Sequence, residues 1–408
     1  MKQRVILHCD ANNFYASCEC LLNPTIKDKP VAVTGNPEKR TGIILAKNYI
    51  AKSYGISTGE VIWQAKQKCP DLICVSPKFS EYEKISKQLQ KIYQDYTDKV
   101  EAFSIDECWL DVTDTQKFFG DGYDIAMQIK ERVKKEIGIT ISVGVSFCKL
   151  FAKLGSDLKK PDAITVIHKA NFQNRIYNLP VTSIMGVGRQ TEQTLKKLGV
   201  TTLGEYARLP DEVLLSKFGK NGIKTKQALL GNDTEPVKKI DEHTPIKSIG
   251  NGTTAIVDIK NIQDMQSMVM FLSDEIATRL RAKHLMACCI NVSLRSGELC
   301  WTGKSKTLPY YTNTERDIYK ESMQLISTFW NGYSPIRSVR ISCSTLISDS
   351  EYFQCNLFED SDKKQKLNQA IDQVRKKFGY NAISPLATKN PKIINSDLLR
   401  LDGINEDE

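Results

Sequence analysis

Two adjacent carboxylates in the middle of an otherwise apolar, β-prone stretch constrain this chain more than any other feature. Residues 100–112 read VEAFSIDECWLDV, with Asp106 and Glu107 near the centre. Two uncompensated negative charges in a would-be core strand are costly unless something positive is held there. A divalent cation at the end of a strand meets that demand. A solvated hairpin turn is the alternative reading of the segment taken alone.

The N-terminus supplies a third acid. Val5-Ile6-Leu7-His8-Cys9 has the composition of a short buried strand and runs into Asp10. Ala11-Asn12-Asn13 breaks it, and the residues from Phe14 onward begin a helix. A carboxylate at the end of one strand and a pair on a neighbouring hairpin can converge on one point. Three carboxylates so arranged hold hard cations such as Mg²⁺, which prefer oxygen ligands and bind substrate phosphates as well. That is the arrangement used for two-metal phosphoryl transfer.

A chain of 408 residues exceeds one ordinary core and predicts two to four domains. With 41% hydrophobic and 26% charged residues it has the composition of a globular protein. It has no run of eighteen apolar residues and no basic-then-apolar leader, so a cytosolic protein with no membrane association is expected. The twelve cysteines are scattered without a CxxC pair, and the four histidines lack zinc-ligand spacing, so reduced buried thiols are expected. Formal charge is +9, and residues 130–160 carry eight Lys/Arg against three acids, a net +5. Such a balance permits nucleic-acid binding. The last thirteen residues hold five acids and one arginine and read as a solvated tail.

Tyr82, Ile85, Leu89, Ile92 and Tyr96 form a core-facing helical stripe, and Ala126, Ile129, Val133 and Ile137 another within a helix over 123–137. Residues 139–145 are a strand by β-branched alternation. Strand, helix, hairpin, helix, strand suits a ferredoxin-like sheet backed by helices. Beyond residue 168 come short helical pieces; Gly186 and Gly188 ahead of Arg189 fit a helix–hairpin–helix whose backbone N–H groups meet a DNA phosphate. A tight turn is the alternative. After a tether at 241–247, strand 248–259, helix 262–284, strands 286–296 and 298–306, helix 313–329 and strand 336–347 repeat the split βαβ pattern without carboxylates. Ile290, Val292 and Leu294 alternate with Asn291, Ser293 and Arg295. Arg295, Lys304, Lys306, Arg337 and Arg340 are candidates for a phosphate-binding face. Leu367, Ile371, Val374 and Phe378 predict an amphipathic helix near the C-terminus.

HCDANNFYASCE, followed about ninety residues later by FSIDECWLDV, resembles a Y-family DNA polymerase of the DinB/UmuC translesion type. The resemblance covers roughly residues 1–350. It implies an α+β multidomain fold: a ferredoxin-like palm (1–24 and 76–167), small fingers (25–75), a helix–hairpin–helix thumb (168–240) and a split βαβ little finger (248–350). Residues 351–408 would then hold a clamp-binding peptide, the amphipathic helix and the acidic tail.

The resemblance implies that Asp10, Asp106 and Glu107, with the Ala11 carbonyl, hold two Mg²⁺ ions. Tyr15 falls at the steric-gate position under the sugar. Tyr49, Lys52 and Lys160 fall at triphosphate positions, although DinB-type members usually carry arginine where Lys52 stands. Asn12 replaces a second aspartate common in that type, with little catalytic consequence expected. Lys149 and Lys153 are expected at phosphate or in solvent. Gly186, Gly188, Arg295 and Arg337 are the DNA-binding candidates. Gln354, Leu357 and Phe358 resemble the QxxLF peptide that docks on a bacterial sliding clamp, two apolar anchors plus a glutamine. The implied activity is low-fidelity, template-directed addition of dNMP from dNTP to a primer 3′-hydroxyl on primer–template DNA, by a monomer. The alternative is a catalytically silent DNA- or clamp-binding scaffold of the same family.

Overall fold

A computed structural model describes residues 3–36, 42–242, 245–350, 361–388 and 393–394. It divides into two compact units, Met1–Gly35 with Ile43–His243, and Thr244–Glu408 with Asn36–Gly42.

The first unit is built on a five-stranded sheet. Its central strand, Ile6–Ala11, runs antiparallel to Glu107–Asp111 on one side and to Ile141–Ser146 on the other. Val100–Ala102 pairs outside the former, and Ile164–Val166 lies parallel outside the latter. Every residue of the central strand is buried, because both faces are covered. Leu7 and Cys9 share a core with the stripe Tyr82, Ile85, Leu89 and Ile92 of helix Phe79–Gln94 and with Ile125, Ala126 and Ile129 of helix Gly122–Arg132. The second helix starts at a capping box formed by Asp121 and Asp124 and continues as one π-turn over Val133–Ile137.

Ile6, His8 and Asp10 face the opposite side, under helix Lys149–Leu158, as the period of two along a strand requires. That helix seats close to the sheet. A Cβ at Gly144 would lie 1.9 Å from the Ala152 carbonyl oxygen, so glycine alone fits there.

A three-stranded sheet in the order Ile44–Lys47, Val31–Thr34, Ile73–Val75 carries its own small core of Ala32, Ile44, Ala51, Ile56, Ala65 and Leu72. Helices Arg189–Lys197, Leu203–Arg208 and Asp211–Leu229 form a further cluster, the last broken at Gly219, where φ is 62°.

The second unit is a four-stranded antiparallel sheet in the order Trp301–Thr312, Leu285–Ser296, Ile336–Ser348, Ser248–Ile259. Helices Ile262–Ala282 and Glu315–Ser327 pack on one face through a core that includes Ile290, Val292 and Leu294. The strand expected over 298–306 instead runs from Trp301 to Thr312 through Pro309. A proline is tolerated there because the strand is at the sheet edge and its pairing shifts beyond Thr307.

Helix Ser361–Phe378 departs further from expectation. Leu367 and Phe378, assigned inward by periodicity, are 61% and 66% exposed, whereas Arg375 is only 6% exposed. Arg375 donates to both oxygens of Asp274 at 3.1 and 2.9 Å, to Thr278 Oγ1 at 3.0 Å and to the Ile383 carbonyl. Two ion pairs, Arg375 with Asp274 and Asp372 with Arg281 (2.6 and 2.8 Å), dock this helix.

The described cysteines are all free thiols. Among the described residues no helix is long and apolar enough to cross a membrane.

Candidate active site

The sheet register brings the acids together. Asp10 lies directly across from Glu107 between antiparallel strands, and the Ala11 N–H donates to the Asp106 carbonyl at 3.1 Å, tying the hairpin turn to the strand end. Like charges facing one another across a ladder repel. Two lysines offset that repulsion. Lys153 Nζ lies 3.1 Å from Asp10 Oδ2, Glu107 Oε2 and Asp157 Oδ2 alike, and Lys160 Nζ reaches Asp10 Oδ2 at 2.7 Å and Asp157 at 2.9 Å. Helix Lys149–Leu158 delivers Lys153 and Asp157, so the close approach at Gly144 is also what sets the site's electrostatics.

The carboxyls titrate in opposite directions. Burial pushes Asp106 up, reinforced by Asp10 and Glu107, against the Ser104 hydroxyl that donates to it at 2.7 Å. Burial also pushes Glu107 up, but the His8 contact and the Lys153 charge outweigh it and hold the carboxyl down at about 2. Burial lowers Lys153 and Lys160, while Asp10 and the acids around it raise both above the usual lysine range.

His8 is a site residue that the sequence reading passed over. It is fully buried; Nε2 lies 3.4 Å from Glu107 Oε2, Nδ1 lies 2.9 Å from Ser156 Oγ, and the ring meets Trp109 edge-on at 5.3 Å. The signal was present, since His8 and Asp10 are two apart on one strand and must share a face. Donor atoms of His8, Asp10 and Glu107 lie within 4.8 Å of one another, close enough for one ion. Glu107 Oε2 is buried with no well-aligned hydrogen-bond donor of its own. A donor set in which Asp10, Asp106, Glu107 and Asp157 outnumber the ammoniums of Lys153 and Lys160 fits a hard divalent cation.

Asp10, Ala11, Tyr15, Asp106, Glu107, Lys153 and Lys160 line one cleft of about 360 Å³, together with Lys47 and Thr58 from the small sheet's side. Tyr15 is fixed by aromatic contacts: it stacks on Tyr82 at 4.7 Å with 18° between the planes and meets Phe79 at 5.8 Å, 87°. The Tyr82 hydroxyl donates to buried Glu19 at 2.7 Å. Tyr49 and Lys52 are not among the lining residues. The Tyr49 hydroxyl reaches Asn12 Oδ1 at 3.5 Å, and the Lys52 ammonium sits over the Tyr49 ring at 5.4 Å. Asn12 is buried and held by Ser142 at 2.9 Å and Thr140 at 3.1 Å.

Lys149 faces neither phosphate nor solvent. It is buried in an ion pair with Glu101, with Glu235 at 3.4 Å, because the helix turn that holds it packs against Trp109.

Gly186 has φ of 91°, a left-handed conformation that favours glycine, and Gly188 caps helix Arg189–Lys197. A Cβ on either would meet nothing within 4 Å, so this backbone is open to approach. In the second unit the basic candidates do not share one face. Lys304 and Lys306 pair with Val292 and Ile290, placing them on the helix side, where Lys304 bonds to Thr328 and Lys306 to Glu321. Arg340 pairs with Ser293, and Arg295 lies two residues on, both on the opposite face. Arg337 sits where the pairing shifts between Ile336 and Ser338, half-buried. Gln354, Leu357 and Phe358 lie outside the described residues.

Residues 9–157 match the impB/mucB/samB family model and residues 246–357 that family's C-terminal domain. Among curated relatives, DNA polymerase IV of Acetivibrio thermocellus is 44% identical over 93% of this chain and 96% of its own length. DNA polymerase IV 2 of Bacillus subtilis is 36% identical over 94% of each. The chain belongs to the DinB-type Y-family DNA polymerases. The fold agrees: a solved Y-family DNA polymerase chimera superposes with a TM-score of 0.75 over 84% of this chain and 99% of its own, at 24% identity. Within this Y-family chain, the first family match spans the whole carboxylate cluster from Asp10 to Asp157.

Proposed function

We propose that this chain is a DNA-directed DNA polymerase of the translesion type, adding dNMP from dNTP to a primer 3′-hydroxyl and bypassing damaged template bases with low fidelity. One observation carries the reading: Asp10, Asp106 and Glu107 line a single cleft with Lys153 and Lys160, in a chain of the Y family. In this reading Asp10, Asp106, Glu107 and the Ala11 carbonyl hold two Mg²⁺ ions. Bound there, Mg²⁺ neutralises phosphate charge and favours the deprotonated 3′-hydroxyl.

The chain's own residues position and discriminate. Tyr15, rigid on Tyr82, blocks a ribose 2′-hydroxyl. Lys160, paired with Asp10 and Asp157, would turn its ammonium to triphosphate oxygens when nucleotide binds, and Tyr49 and Lys52 would support the same end from the fingers. Lys153 keeps the carboxylates from repelling one another while the cleft is open. Residues 1–24 with 76–167 serve as palm, 25–75 as fingers, 168–240 as thumb and 248–350 as little finger. Gly186 and Gly188 meet a duplex phosphate through backbone N–H groups. Arg295 and Arg337 add contacts to DNA, and Gln354, Leu357 and Phe358 dock on a β-type sliding clamp. The protein works in the cytoplasm as a monomer.

The test is primer extension on undamaged template with Mg²⁺ and dNTPs, wild type against Asp106→Ala. Short, distributive extension that falls by at least about 10³-fold in the variant is expected. A folded, DNA-binding wild type that extends nothing, even with its clamp, would replace this reading with that of a scaffold.

A further inference from the structure

The two cleft lysines of the palm already have partners. Lys153 and Lys160 are taken by Asp10, Glu107 and Asp157. Lys52 is exposed and lies over Tyr49, away from the cleft lining. The fingers lysine that lines the cleft is Lys47.

Lys47 ends the strand Ile44–Lys47 and is half-buried. Its Nζ donates to Thr58 Oγ1 at 3.1 Å, and among the described residues no carboxylate lies within ion-pair distance. Glu60, the acid whose charge acts on it, is engaged by Lys68 at 2.7 Å. Burial and the Lys52 charge lower its affinity for a proton, and Glu60, already engaged by Lys68, offsets that only in part. Thr58 is fixed too: the next residue, Gly59, donates its N–H to the Ile44 carbonyl at 2.8 Å, tying the turn to the strand that bears Lys47. Thr58 Oγ1 accepts from Lys47, which leaves its own proton to donate.

We propose that Lys47 and Thr58 form an anion subsite of this cleft that binds the outer phosphates of the incoming nucleoside triphosphate. The proposal rests on reading the cleft as the nucleotide site. An ammonium and a hydroxyl on a rigid strand–turn pair give two charge-complementary donors to phosphate oxygens. They line the same cleft as Asp10, Asp106 and Glu107, so the phosphate chain is held between the metal-binding carboxylates and this ammonium–hydroxyl pair.

Two measurements on the full chain test this. Calorimetry with inorganic tripolyphosphate, without divalent metal, reads the anion site without requiring activity. Primer extension reads KM for dNTP. Lys47→Met is expected to weaken tripolyphosphate binding and raise KM by about tenfold each, most of the loss falling in KM and not kcat. Thr58→Val should cost about threefold, and Lys47→Arg should keep both near wild type. Unchanged binding and KM in Lys47→Met, or a larger loss in Lys52→Met, would overturn the subsite. A wild type that extends nothing yet binds tripolyphosphate through Lys47 would overturn the polymerase reading and leave the anion site standing.

Discussion

Two clusters of buried charge in this molecule look alike by composition and behave differently. In the second unit, Asp274 and Arg375 form a closed pair. Both carboxylate oxygens meet the guanidinium, Tyr380 donates to Oδ2 at 2.6 Å and stacks under Arg375 at 4.3 Å, and the remaining Arg375 hydrogens go to Thr278 and Ile383. In the first unit, two ammoniums are shared among three carboxylates, Asp10, Glu107 and Asp157, with Asp106 beside them as a fourth. One cluster is electrically complete and holds a helix in place. The other has more acid than base around a cleft and so keeps an appetite for cations. The difference between structure and site lies in satisfaction, not in burial.

That contrast can be broken by mutation. Asp274→Ala leaves Arg375 buried without its counter-charge and is expected to cost about 3–5 kcal/mol of stability in denaturant unfolding. Asp10→Asn should cost about 1 kcal/mol or less, since Lys153 and Lys160 retain Asp157 and a like-charge contact is relieved. Equal losses from the two would erase the distinction.

Glu275, next to the closed pair, sharpens it. Its side chain accepts from Asn251, but Oε1 has no partner, and burial raises its pKa to about 7, with Asp274 adding to the rise and Asn251 and Arg279 opposing it. The folded value lies above the ordinary 4.5. Protonated Glu275 therefore contributes stability in full below pH 4.5, and roughly 3 kcal/mol of that contribution is lost as pH rises from 4.5 through about 7. Glu275→Gln should flatten this slope in unfolding curves taken from pH 4 to 8; an unaltered slope would refute the assignment.

The smallest effect expected is from metal. A cation that binds only the folded state raises its melting temperature. Saturating Mg²⁺ should raise the midpoint of the first unit by about 3 °C, and by under about 1 °C in Asp10→Asn. An equal rise in both would place the ion elsewhere.

Much of the fold was written locally. Asp10 at the end of an apolar run and Asp106-Glu107 inside another announced a charged site between buried strands, and the stripes Tyr82–Tyr96 and Ala126–Ile137 announced the helices that cover one side. The order of strands and helices in the second unit was equally legible, because helical and strand periodicities differ so sharply.

Tertiary structure decided which side chains meet. Antiparallel register, not composition, set Lys304 and Lys306 against the helices while Arg295 and Arg340 took the other face. A glycine contact between helix and sheet, at Gly144 and Ala152, brought Lys153 over Asp10 and buried His8 beneath Glu107. Two long-range ion pairs, Asp274 with Arg375 and Arg281 with Asp372, overrode the apolar stripe of helix Ser361–Phe378. The sequence determined where charge would be concentrated, since unpaired carboxylates stand out in any apolar run. Only the three-dimensional arrangement determined which of those charges were satisfied, because compensation depends on distances of a few ångströms between residues more than a hundred positions apart.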